Sequence, residues 1–385
     1  MKSLLVSATY FPPQVGGMSR MMEEICVALG PEQVACLTAV RAGQPDSGRL
    51  DRIRVYRRPT AFAANKVIQA SGLALALSEI VVRDRPDVLQ LCSCQEGWLG
   101  LLAEKWLRLP FVVYAHGNEV LDALHSSYPK PRTALARAAV VFANSRYTAK
   151  LVLSAGARSE AVRVIPLGCD PKRFAPYAAS DEFRTRVLGS RAGSAVVLTV
   201  GNVVERKGHD VVIKALPAIR NAVPDVTYVI VGDGPYRPSL EKLASDLGMR
   251  SHVVFAGKVS DEDLPKYYSL CDVFAMPSRE RLDSGDVEGF GIVFLEAAAA
   301  AKPVVAGRSG GIEDAVIHGA TGLLVEPTSV GDVAQALLRL LRDAPLRQEL
   351  GGQARERVLR EFTWDAVAAQ VRSGLEHAVS SHRRQ

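Results

Sequence analysis

The sequence lacks the patterns that mark membrane-spanning, secreted and dinucleotide-binding proteins. No run of eighteen apolar residues occurs, so no transmembrane helix is predicted. The amino terminus leads straight into a strand pattern, without the apolar region and small-residue cleavage site of a signal peptide. Neither a Walker loop nor the G-x-G-x-x-G fingerprint of a dinucleotide fold is present. We therefore expect a cytoplasmic protein, either soluble or attached peripherally to the inner face of the cell membrane.

Cysteine and histidine are also sparse. The six cysteines form no C-x-x-C pair and most lie in apolar stretches, which predicts buried thiols in a reducing compartment. No group of histidines and cysteines has the spacing of a zinc site, so we expect no structural metal. Of the seven histidines, only His116 has a placement that suggests ligand contact, and we expect the other six at the surface.

Positive charge is concentrated in the first half of the chain. Residues 1–180 carry 22 lysines and arginines against 14 acidic residues, although the whole chain has a net charge of +6. The excess lies in a basic patch, defined here as Arg41, Arg49, Arg52, Arg54, Arg57, Arg58 and Lys66. The patch is either an ordinary solvated edge or a surface for an anionic membrane or a phosphorylated acceptor. Nucleic acid is not an expected partner, because the patch is poor in interleaved aromatics and no nucleic-acid-binding module is present.

Short β-branched runs alternate with helical patterns along the whole chain of 385 residues. Strands are predicted at 4–9, 34–40, 88–92, 111–114, 140–143, 162–165, 195–200, 226–231, 253–255, 273–276, 303–306 and 322–325. Helices are predicted at 18–29, 62–83, 97–107, 146–154, 208–220, 236–247, 291–301 and 330–342. This alternation predicts an α/β protein with two Rossmann-like, doubly wound domains. We place them at residues 1–170 and 171–363, facing a central cleft.

Glycine-rich turns follow several of these strands, where doubly wound sheets bind their ligands. Gly16-Gly17 precede a helix and either bring backbone N–H groups to a phosphate or form an ordinary turn. Gly201 is followed by Glu205-Arg206-Lys207-Gly208, which places two cations at the start of a helix. Because a helix N-terminus is itself positive, this arrangement is unfavourable unless an anion binds there or both side chains point into solvent.

The strongest block runs from Glu288 to Ala297. Its glycines mark a loop that opens a helix, and Glu296 lies in that helix among apolar neighbours. A carboxylate in such surroundings is costly to bury unless a donor hydrogen-bonds to it, and ribose hydroxyls are suitable donors. Gly310-Gly311 supplies a second backbone-lined turn nearby. His116 lies at the carboxyl end of a predicted strand, on the ligand side of the sheet, although a purely structural role fits that pattern too.

Together these residues resemble the retaining glycosyltransferases of family 4, which have the GT-B fold. Glu288 and Glu296 match the family's pair of glutamates, and Arg206-Lys207-Gly208 is similar to its phosphate-binding Lys-Gly turn. Pro166-Leu167-Gly168-Cys169-Asp170 resembles its interdomain Pro-x-Gly-x-Asp segment. Further matches in order and position are Gly16-Gly17, His116-Gly117 and Asn144-Ser145. The resemblance covers nearly the whole chain.

The resemblance implies a role for each of these residues. Lys207, assisted by Arg206, would neutralise the donor diphosphate as the glycosidic bond breaks. Glu296 would hold the ribose, Glu288 would orient the transferred sugar, and His116 would contact that sugar. The implied catalytic residues are His116, Glu288, Arg206 and Lys207. The implied donor-binding residues are Gly16, Gly17, Asn202, Gly289, Phe290, Gly291, Ile292 and Glu296.

The resemblance extends to the last helix of the chain, and it departs from the family pattern at one position. The helix at 364–380 would cross back to the first domain, as it does in the family. Many members place an arginine directly after the glycine that corresponds to Gly201, whereas this chain has Asn202 there. Either Arg206 substitutes for that charge or the phosphate is held by fewer cations.

The resemblance also implies a reaction. Transfer would proceed with retention through a front-face reaction in a close ion pair, without a metal or any other cofactor, and the leaving phosphate would take the acceptor's proton. The residues from Ser278 to Gly289 are similar to those of bacterial phosphatidylinositol-mannoside mannosyltransferases. This similarity favours a hexosyltransferase that uses GDP-mannose and a lipid-linked or polysaccharide acceptor in cell-envelope glycan synthesis. The alternatives are a UDP-sugar-dependent transferase and a sugar-nucleotide epimerase of the same architecture.

Overall fold

The computed structural model describes residues 1–7, 10–12, 16–39, 47–50, 53–58, 66–281 and 285–384 of the chain. The chain forms two compact units. The first comprises Met1–Leu167 and Trp364–Gln385, and the second comprises Gly168–Thr363. The sequence places the boundary at 170/171, whereas the structure places it three residues earlier. None of the helices in the described residues is long and apolar enough to cross a bilayer.

The first unit is built on an eight-stranded sheet. Its strands are β1 (Ser3–Val6), β2 (Val34–Ala39), β3 (Ser47–Leu50), β4 (Ile53–Arg58), β5 (Val88–Leu91), β6 (Phe111–Ala115), β7 (Val140–Ala143) and β8 (Val162–Val164). Their spatial order is β3-β4-β2-β1-β5-β6-β7-β8, and neighbours are parallel except for the antiparallel pair β3–β4. The central strands are apolar on both faces and fully buried, because helices cover both sides of a doubly wound sheet.

Within the described residues, six α-helices connect these strands. They are α1 (Gly17–Leu29), α2 (Lys66–Asp84), α3 (Gly97–Leu107), α4 (Asn118–His125), α5 (Lys130–Arg137) and α6 (Arg146–Ser154). Helix α1 has the apolar stripe of a helix that lies on a sheet, and the stripe includes Met22, Ile25 and Leu29, all of them buried. The sheet order reverses between β1 and β5, which places a ligand-binding crevice beyond the carboxyl ends of these two strands.

The second unit is built on a six-stranded, fully parallel sheet. Its strands are β9 (Ala195–Val200), β10 (Val226–Val231), β11 (Val253–Gly257), β12 (Val273–Met276), β13 (Val304–Gly307) and β14 (Gly322–Val325). Its helices are α7 (Asp181–Leu188), α8 (His209–Ala222), α9 (Arg237–Asp246), α10 (Leu264–Leu270), α11 (Ile292–Ala299), α12 (Ile312–Ala315), α13 (Val330–Arg342) and α14 (Ala344–Glu361). The spatial order is β11-β10-β9-β12-β13-β14, so the order reverses between β9 and β12.

The last helix, α15 (Trp364–His382), belongs to the first unit. Its buried face includes Val367, Val371 and Leu375. At the edge of this face the guanidinium of Arg372 donates to the carbonyl of Leu29, the last residue of α1, across 2.8 Å. The chain therefore enters the second unit once, and returns from it to complete the first.

The predicted α/β class with two doubly wound, Rossmann-like domains is confirmed. The predicted strands all occur, with ends that differ by a few residues, and so do the predicted helices within the described residues. The sequence pattern misses β3 and β4, and also the helices α4, α5, α7, α10, α12 and α14. The strand β3 has only four residues, β4 contains three arginines, and most of the missed helices have eight residues or fewer, so none of these elements shows a clear apolar period.

The expectations for cysteine and histidine have different outcomes. All six cysteines are buried thiols, as predicted. The prediction that six histidines lie at the surface is wrong for two of them, since His209 is fully buried and His252 is 7% exposed. In its buried position the Nδ1 of His252 lies 2.9 Å from both the guanidinium of Arg191 and the carbonyl oxygen of Val226.

Candidate active site

The candidate site of the second unit lies where its strand order reverses. Three loops leave the carboxyl ends of neighbouring strands there: one follows β9 at Gly201, one follows β12 at Pro277, and one follows β13 at Arg308. Because β9 and β12 are adjacent in the sheet, segments that are far apart in sequence meet at this edge. This is the position at which open α/β sheets bind their ligands.

The cationic turn, residues Glu205 to Gly208, forms the first wall of the site. Glu205–Lys207 makes a single 3₁₀ turn that ends at Gly208, whose φ is +77°. A β-carbon at Gly208 would lie 2.2 Å from the carbonyl oxygen of Pro277, so this position accepts only glycine. The amide of Arg279 donates to the carbonyl of Arg206 across 2.8 Å, which ties the turn to the loop after β12.

The two cations of this turn both meet one carboxylate. The Lys207 ammonium contacts Oε2 of Glu288, and NH1 of Arg206 lies 2.9 Å from the same oxygen. The Nε of Arg206 donates to Oδ1 of Asp286 across 2.8 Å. The structure thus brings together three of the four predicted catalytic residues. The alternative in which both side chains point into solvent is therefore wrong, whereas the binding of a ligand anion at this turn stays a prediction.

The charges in this cluster shift the pKa values of Glu288 and Lys207. Burial alone would raise the pKa of Glu288, but Lys207 and Arg206 outweigh it and hold that pKa at about 2. Burial lowers the pKa of Lys207, although Glu288 counteracts part of the shift. Glu288 is therefore a carboxylate at every pH near neutrality, and its two cations with Asp286 make a compact cluster without net charge.

A further layer of ion pairs supports the cationic turn from the loop after β12. The guanidinium of Arg279 donates to Oδ1 of Asp210 across 3.0 Å and to Glu205 across 3.3 Å. Arg281 reaches the other oxygen of Glu205 across 2.7 Å. The side chain of Asp210 is only 6% exposed, and its pairing with Arg279 fixes the start of α8, which follows Lys207 in the chain.

The four backbone amides that follow Glu288 in the chain are unpaired within the described residues. Within the described residues, no acceptor lies within hydrogen-bonding distance of the backbone N–H groups of Gly289, Phe290, Gly291 and Ile292. The first three are buried, and Gly291 caps the amino end of α11 without a side-chain acceptor. Buried amides at a helix N-terminus form a site for an anion or another acceptor, since they combine hydrogen-bond donors with the positive end of the helix dipole.

The turn after β13 holds this loop in place. The amide of Gly311 donates to the carbonyl of Glu288 across 2.9 Å. Gly310 has a φ of +56°, and a β-carbon there would lie 2.4 Å from the same carbonyl oxygen. The predicted backbone-lined turn at Gly310-Gly311 therefore fixes the backbone of Glu288.

Glu296 lies on α11, is 6% exposed, and has a partner that the sequence pattern did not reveal. The hydroxyl of Tyr268, on α10, donates to its Oε2 across 2.6 Å. This hydrogen bond supplies the donor that a buried carboxylate needs. From the sequence, the ribose hydroxyls are the only donors expected for Glu296. The sequence pattern does not reveal Tyr268, because this residue lies in a short helix with no apolar period of its own.

His209, the residue after Gly208, is a second side chain that the sequence pattern missed. Burial lowers the pKa of His209 to about 4, and the positive charge of Lys207 adds to the shift. His209 is therefore neutral near pH 7. A neutral ring beneath Lys207 adds no further positive charge to a turn that already carries two cations.

In the first unit, His116 is held by three hydrogen bonds at the carboxyl end of β6. Its amide donates to Oε1 of Glu119 across 2.5 Å, and its carbonyl accepts from Nδ2 of Asn144 across 3.1 Å. Its Nε2 lies 2.9 Å from the carbonyl of Cys92. A carbonyl can only accept, so Nε2 carries the proton of the neutral ring and Nδ1 carries the lone pair.

The remaining predicted residues are exposed. Gly16, with a φ of +153°, precedes α1, and both it and Gly17 are open to solvent. Asn202 is exposed, and its carbonyl accepts from the amide of Val204 across 2.9 Å. The glycines and His116 lie in the first unit, whereas Asn202 and the other predicted residues lie in the second.

The described members of the basic patch are paired or buried. Arg54 pairs with Asp84 at 3.1 Å, Arg58 pairs with Glu79 at 3.0 Å, and Arg57 is 6% exposed. Arg41 and Arg52 lie outside the described residues, as do the side chains of Arg49 and Lys66. The described part of the patch therefore resembles a paired edge more than an open cationic surface.

Comparisons with known proteins show the family to which the chain belongs. The family described as "Glycosyltransferase Family 4" matches residues 15–173, and "Glycosyl transferases group 1" matches residues 180–357. The chain is 36% identical to the GDP-mannose-dependent alpha-(1-6)-phosphatidylinositol monomannoside mannosyltransferase of Mycobacterium tuberculosis, over 96% of this chain and 97% of that protein. It is 30% identical to the GDP-mannose-dependent monoacylated alpha-(1-6)-phosphatidylinositol monomannoside mannosyltransferase of Corynebacterium glutamicum, over 97% and 98%.

Solved structures share the fold. Sucrose-phosphate synthase from Thermosynechococcus elongatus superposes with a TM-score of 0.83 at 23% identity, over 99% of this chain and all of that one. Anabaena HepE in complex with UDP and glucose superposes with a TM-score of 0.79 at 24% identity, over 98% and 99%. The chain belongs to glycosyltransferase family 4 and has the GT-B fold. It is a hexosyltransferase that depends on a nucleotide sugar.

Proposed function

We propose that this enzyme transfers mannose from GDP-mannose, with retention, to a hydroxyl of a phosphatidylinositol-mannoside-type glycolipid. The observation that carries the proposal is the cluster of Lys207, Arg206 and Glu288 beside the unpaired amides of the Glu288 loop. Both curated relatives described above are named as GDP-mannose-dependent enzymes that act on phosphatidylinositol monomannosides. Their names also give an α-(1-6) relationship, and an α product from an α-linked donor means retention.

The cluster suggests how the donor diphosphate binds. A diphosphate carries more negative charge than one carboxylate, so it would replace Glu288 as the partner of Lys207 and Arg206. The carboxylate of Glu288 would then be available to accept hydrogen bonds from hydroxyls of the sugar. The amides from Gly289 to Ile292 lie beside this carboxylate and would donate to the diphosphate or the sugar. Glu296 would accept hydrogen bonds from the ribose.

Lys207 and Arg206 would also drive the chemical step. Negative charge grows on the leaving diphosphate as the glycosidic bond breaks, and two fixed cations stabilise that charge more in the transition state than in the ground state. The acceptor hydroxyl attacks from the same face and passes its proton to the departing phosphate, which preserves the configuration. Because these two cations supply the positive charge that stabilises the leaving diphosphate, we propose that the reaction needs no divalent metal and no other cofactor.

His116 would contact the transferred sugar from the first unit. Because its Nε2 is used by the carbonyl of Cys92, Nδ1 is the ring atom that would accept a hydrogen bond from a sugar hydroxyl. Gly16 and Gly17 have no side chains, and their backbone would approach the diphosphate. Asn202 would line the donor site without contributing charge, which leaves Arg206 as the second cation.

A glycolipid acceptor would require the enzyme to act at the inner face of the cell membrane, on the cytoplasmic side, and this is the location that we propose. We propose that the undescribed part of the basic patch contributes to this attachment, since Arg54 and Arg58 are already paired. Sedimentation with anionic vesicles checks this point. Binding that falls with salt and with Arg41→Glu/Arg52→Glu supports it, and binding that neither change affects overturns it.

The proposed activity is tested by incubating the enzyme with GDP-mannose and a phosphatidylinositol monomannoside acceptor in excess chelator. We expect an acceptor-dependent product whose new linkage is α by NMR, and the same rate when magnesium is added. A strict requirement for a divalent metal would contradict the metal-independent reaction. A UDP-sugar-dependent transferase would leave GDP-mannose intact and consume UDP-glucose. A sugar-nucleotide epimerase would consume its donor without any acceptor.

A further inference from the structure

Tyr268 has no assigned role, yet it contacts the acid that would hold the ribose. It is fully buried on α10, and its hydroxyl lies 2.6 Å from Oε2 of Glu296. Burial raises the pKa of Tyr268 well above its usual range, and the negative charge of Glu296 raises it further. The phenol therefore keeps its proton at any working pH and always donates to the carboxylate, in a short, charge-assisted hydrogen bond.

The ring of Tyr268 is held in one orientation by its aromatic neighbours. Phe174 contacts it edge-on with ring centroids 5.4 Å apart, and Phe274 stacks against it at 5.8 Å. A tyrosine has few rotatable bonds, and these two contacts remove most of the remaining freedom. The hydroxyl is consequently a fixed point, whereas a glutamate side chain has several rotamers of its own.

We propose that Tyr268 is a positioning residue for the donor: it fixes the carboxylate of Glu296 in the orientation that accepts the ribose hydroxyls. The inference rests on the proposed function, because it takes a nucleoside diphosphate as the ligand. The ribose does not change charge during transfer, so a well-oriented Glu296 stabilises the ground state and the transition state equally. Loss of the Tyr268 hydroxyl should then raise the donor KM and leave kcat nearly unchanged.

The test compares GDP with 2′,3′-dideoxy-GDP, which has no ribose hydroxyls, by calorimetric titration. We expect Tyr268→Phe to weaken GDP binding roughly tenfold, the size of one hydrogen bond to a charged group. We expect the same variant to bind the dideoxy compound as well as the wild type does. A purely structural role would weaken both ligands alike, so the dependence on the ribose hydroxyls isolates the positioning role.

Tyr228 provides the matched control. It is also fully buried in the second unit, but its hydroxyl lies 2.7 Å from the hydroxyl of Thr199 instead of a carboxylate. Tyr228→Phe should change the affinity for neither compound. A second variant, Phe174→Leu, keeps the Tyr268 hydroxyl and loosens its ring, and it should show a smaller loss that again requires the ribose hydroxyls.

The variant Glu296→Gln tests the proposed donor site independently of the positioning role of Tyr268. If Glu296→Gln keeps full affinity for GDP, the proposed donor site is wrong, and the inference falls with it. If Glu296→Gln loses affinity while Tyr268→Phe binds GDP like the wild type, only the positioning role is overturned. Equal losses for GDP and the dideoxy compound in Tyr268→Phe overturn it as well. A ribose-dependent loss in both Tyr268→Phe and Phe174→Leu supports it.

Discussion

Arg206 donates from NH1 to Oε2 of Glu288 across 2.9 Å, although 82 positions separate the two residues. They meet because β9 and β12 are neighbours at the point where the strand order reverses. Arg206 follows the first of these strands and Glu288 follows the second. The pair therefore joins the cationic turn to the loop that precedes α11, and each side chain holds the other in place.

The depressed pKa of Glu288 predicts how its contribution to stability depends on pH. Lys207 and Arg206 hold the pKa at about 2, below the ordinary value of 4.5, so the ionised form stabilises the native state. This contribution is complete above pH 4.5 and is lost as the pH falls toward 2, by about 3 kcal/mol in total. We expect the difference in unfolding free energy between wild type and Glu288→Gln to stay constant from pH 7 to pH 5, and to shrink below that. Urea unfolding at each pH measures it, and a difference that already shrinks between pH 7 and pH 5 would contradict the pairing.

Arg206→Ala tests whether this arginine supplies the second cation. We expect donor affinity to fall about tenfold, which corresponds to roughly 1.4 kcal/mol for one charge-assisted contact. Arg360→Ala is the matched control, because Arg360 is 69% exposed on α14 and pairs with the neighbouring Glu361. Titration with GDP measures both variants. Equal affinities for the two variants would mean that the diphosphate is held without Arg206.

Arg279 should stabilise the cationic turn through its ion pairs with Asp210 and Glu205. Arg279→Met removes its pairing with Asp210, whose side chain is 6% exposed and, among the described residues, keeps Lys214 as a cationic partner at 3.1 Å. We expect a loss of about 2 kcal/mol in unfolding free energy, below the cost of a fully unpaired buried charge. Arg281→Met, which removes a more exposed pairing with Glu205, should cost less than 1 kcal/mol. Equilibrium unfolding in urea compares the two, and equal losses would contradict the role of burial.

His209 predicts an acid-sensitive native state. Burial lowers its pKa to about 4 from an ordinary 6.5, so between these values the unfolded chain binds a proton that the native protein does not. Stability should therefore fall as the pH drops from 6.5 to 4, by about 1.4 kcal/mol for each pH unit. His209→Phe, which cannot titrate, should lose less stability than the wild type over this range, whereas the exposed His125→Gln should behave like the wild type. Parallel curves for wild type and His209→Phe would show that His209 does not titrate with a lowered pKa.

The sequence predicts the sheets well because parallel strands buried on both faces are continuous apolar runs. It predicts less about the residues between them. The strand β4 (Ile53–Arg58) does not follow from the sequence pattern because three of its six residues are arginines, which interrupt the apolar period. The glutamate pair and the Lys-Gly turn were recognisable from family resemblance, since each is a local motif.

Contacts between distant segments are harder to anticipate. Nothing in the local pattern connects Tyr268 to Glu296, which lie 28 positions apart on two short helices. His209 has no placement in the sequence that suggests ligand contact, which predicts a surface position, yet its ring is fully buried after the turn at Gly208. Such positions depend on packing between elements, and only the folded structure supplies it.

The most direct test of the proposed donor is calorimetric titration with GDP and with UDP, in chelator, on the wild type and Glu296→Ala. We predict that the wild type binds GDP in preference to UDP and that Glu296→Ala loses this binding, because the ribose no longer has its acceptor. Tight binding of UDP instead of GDP would contradict the assignment of GDP-mannose and make the enzyme a UDP-sugar transferase.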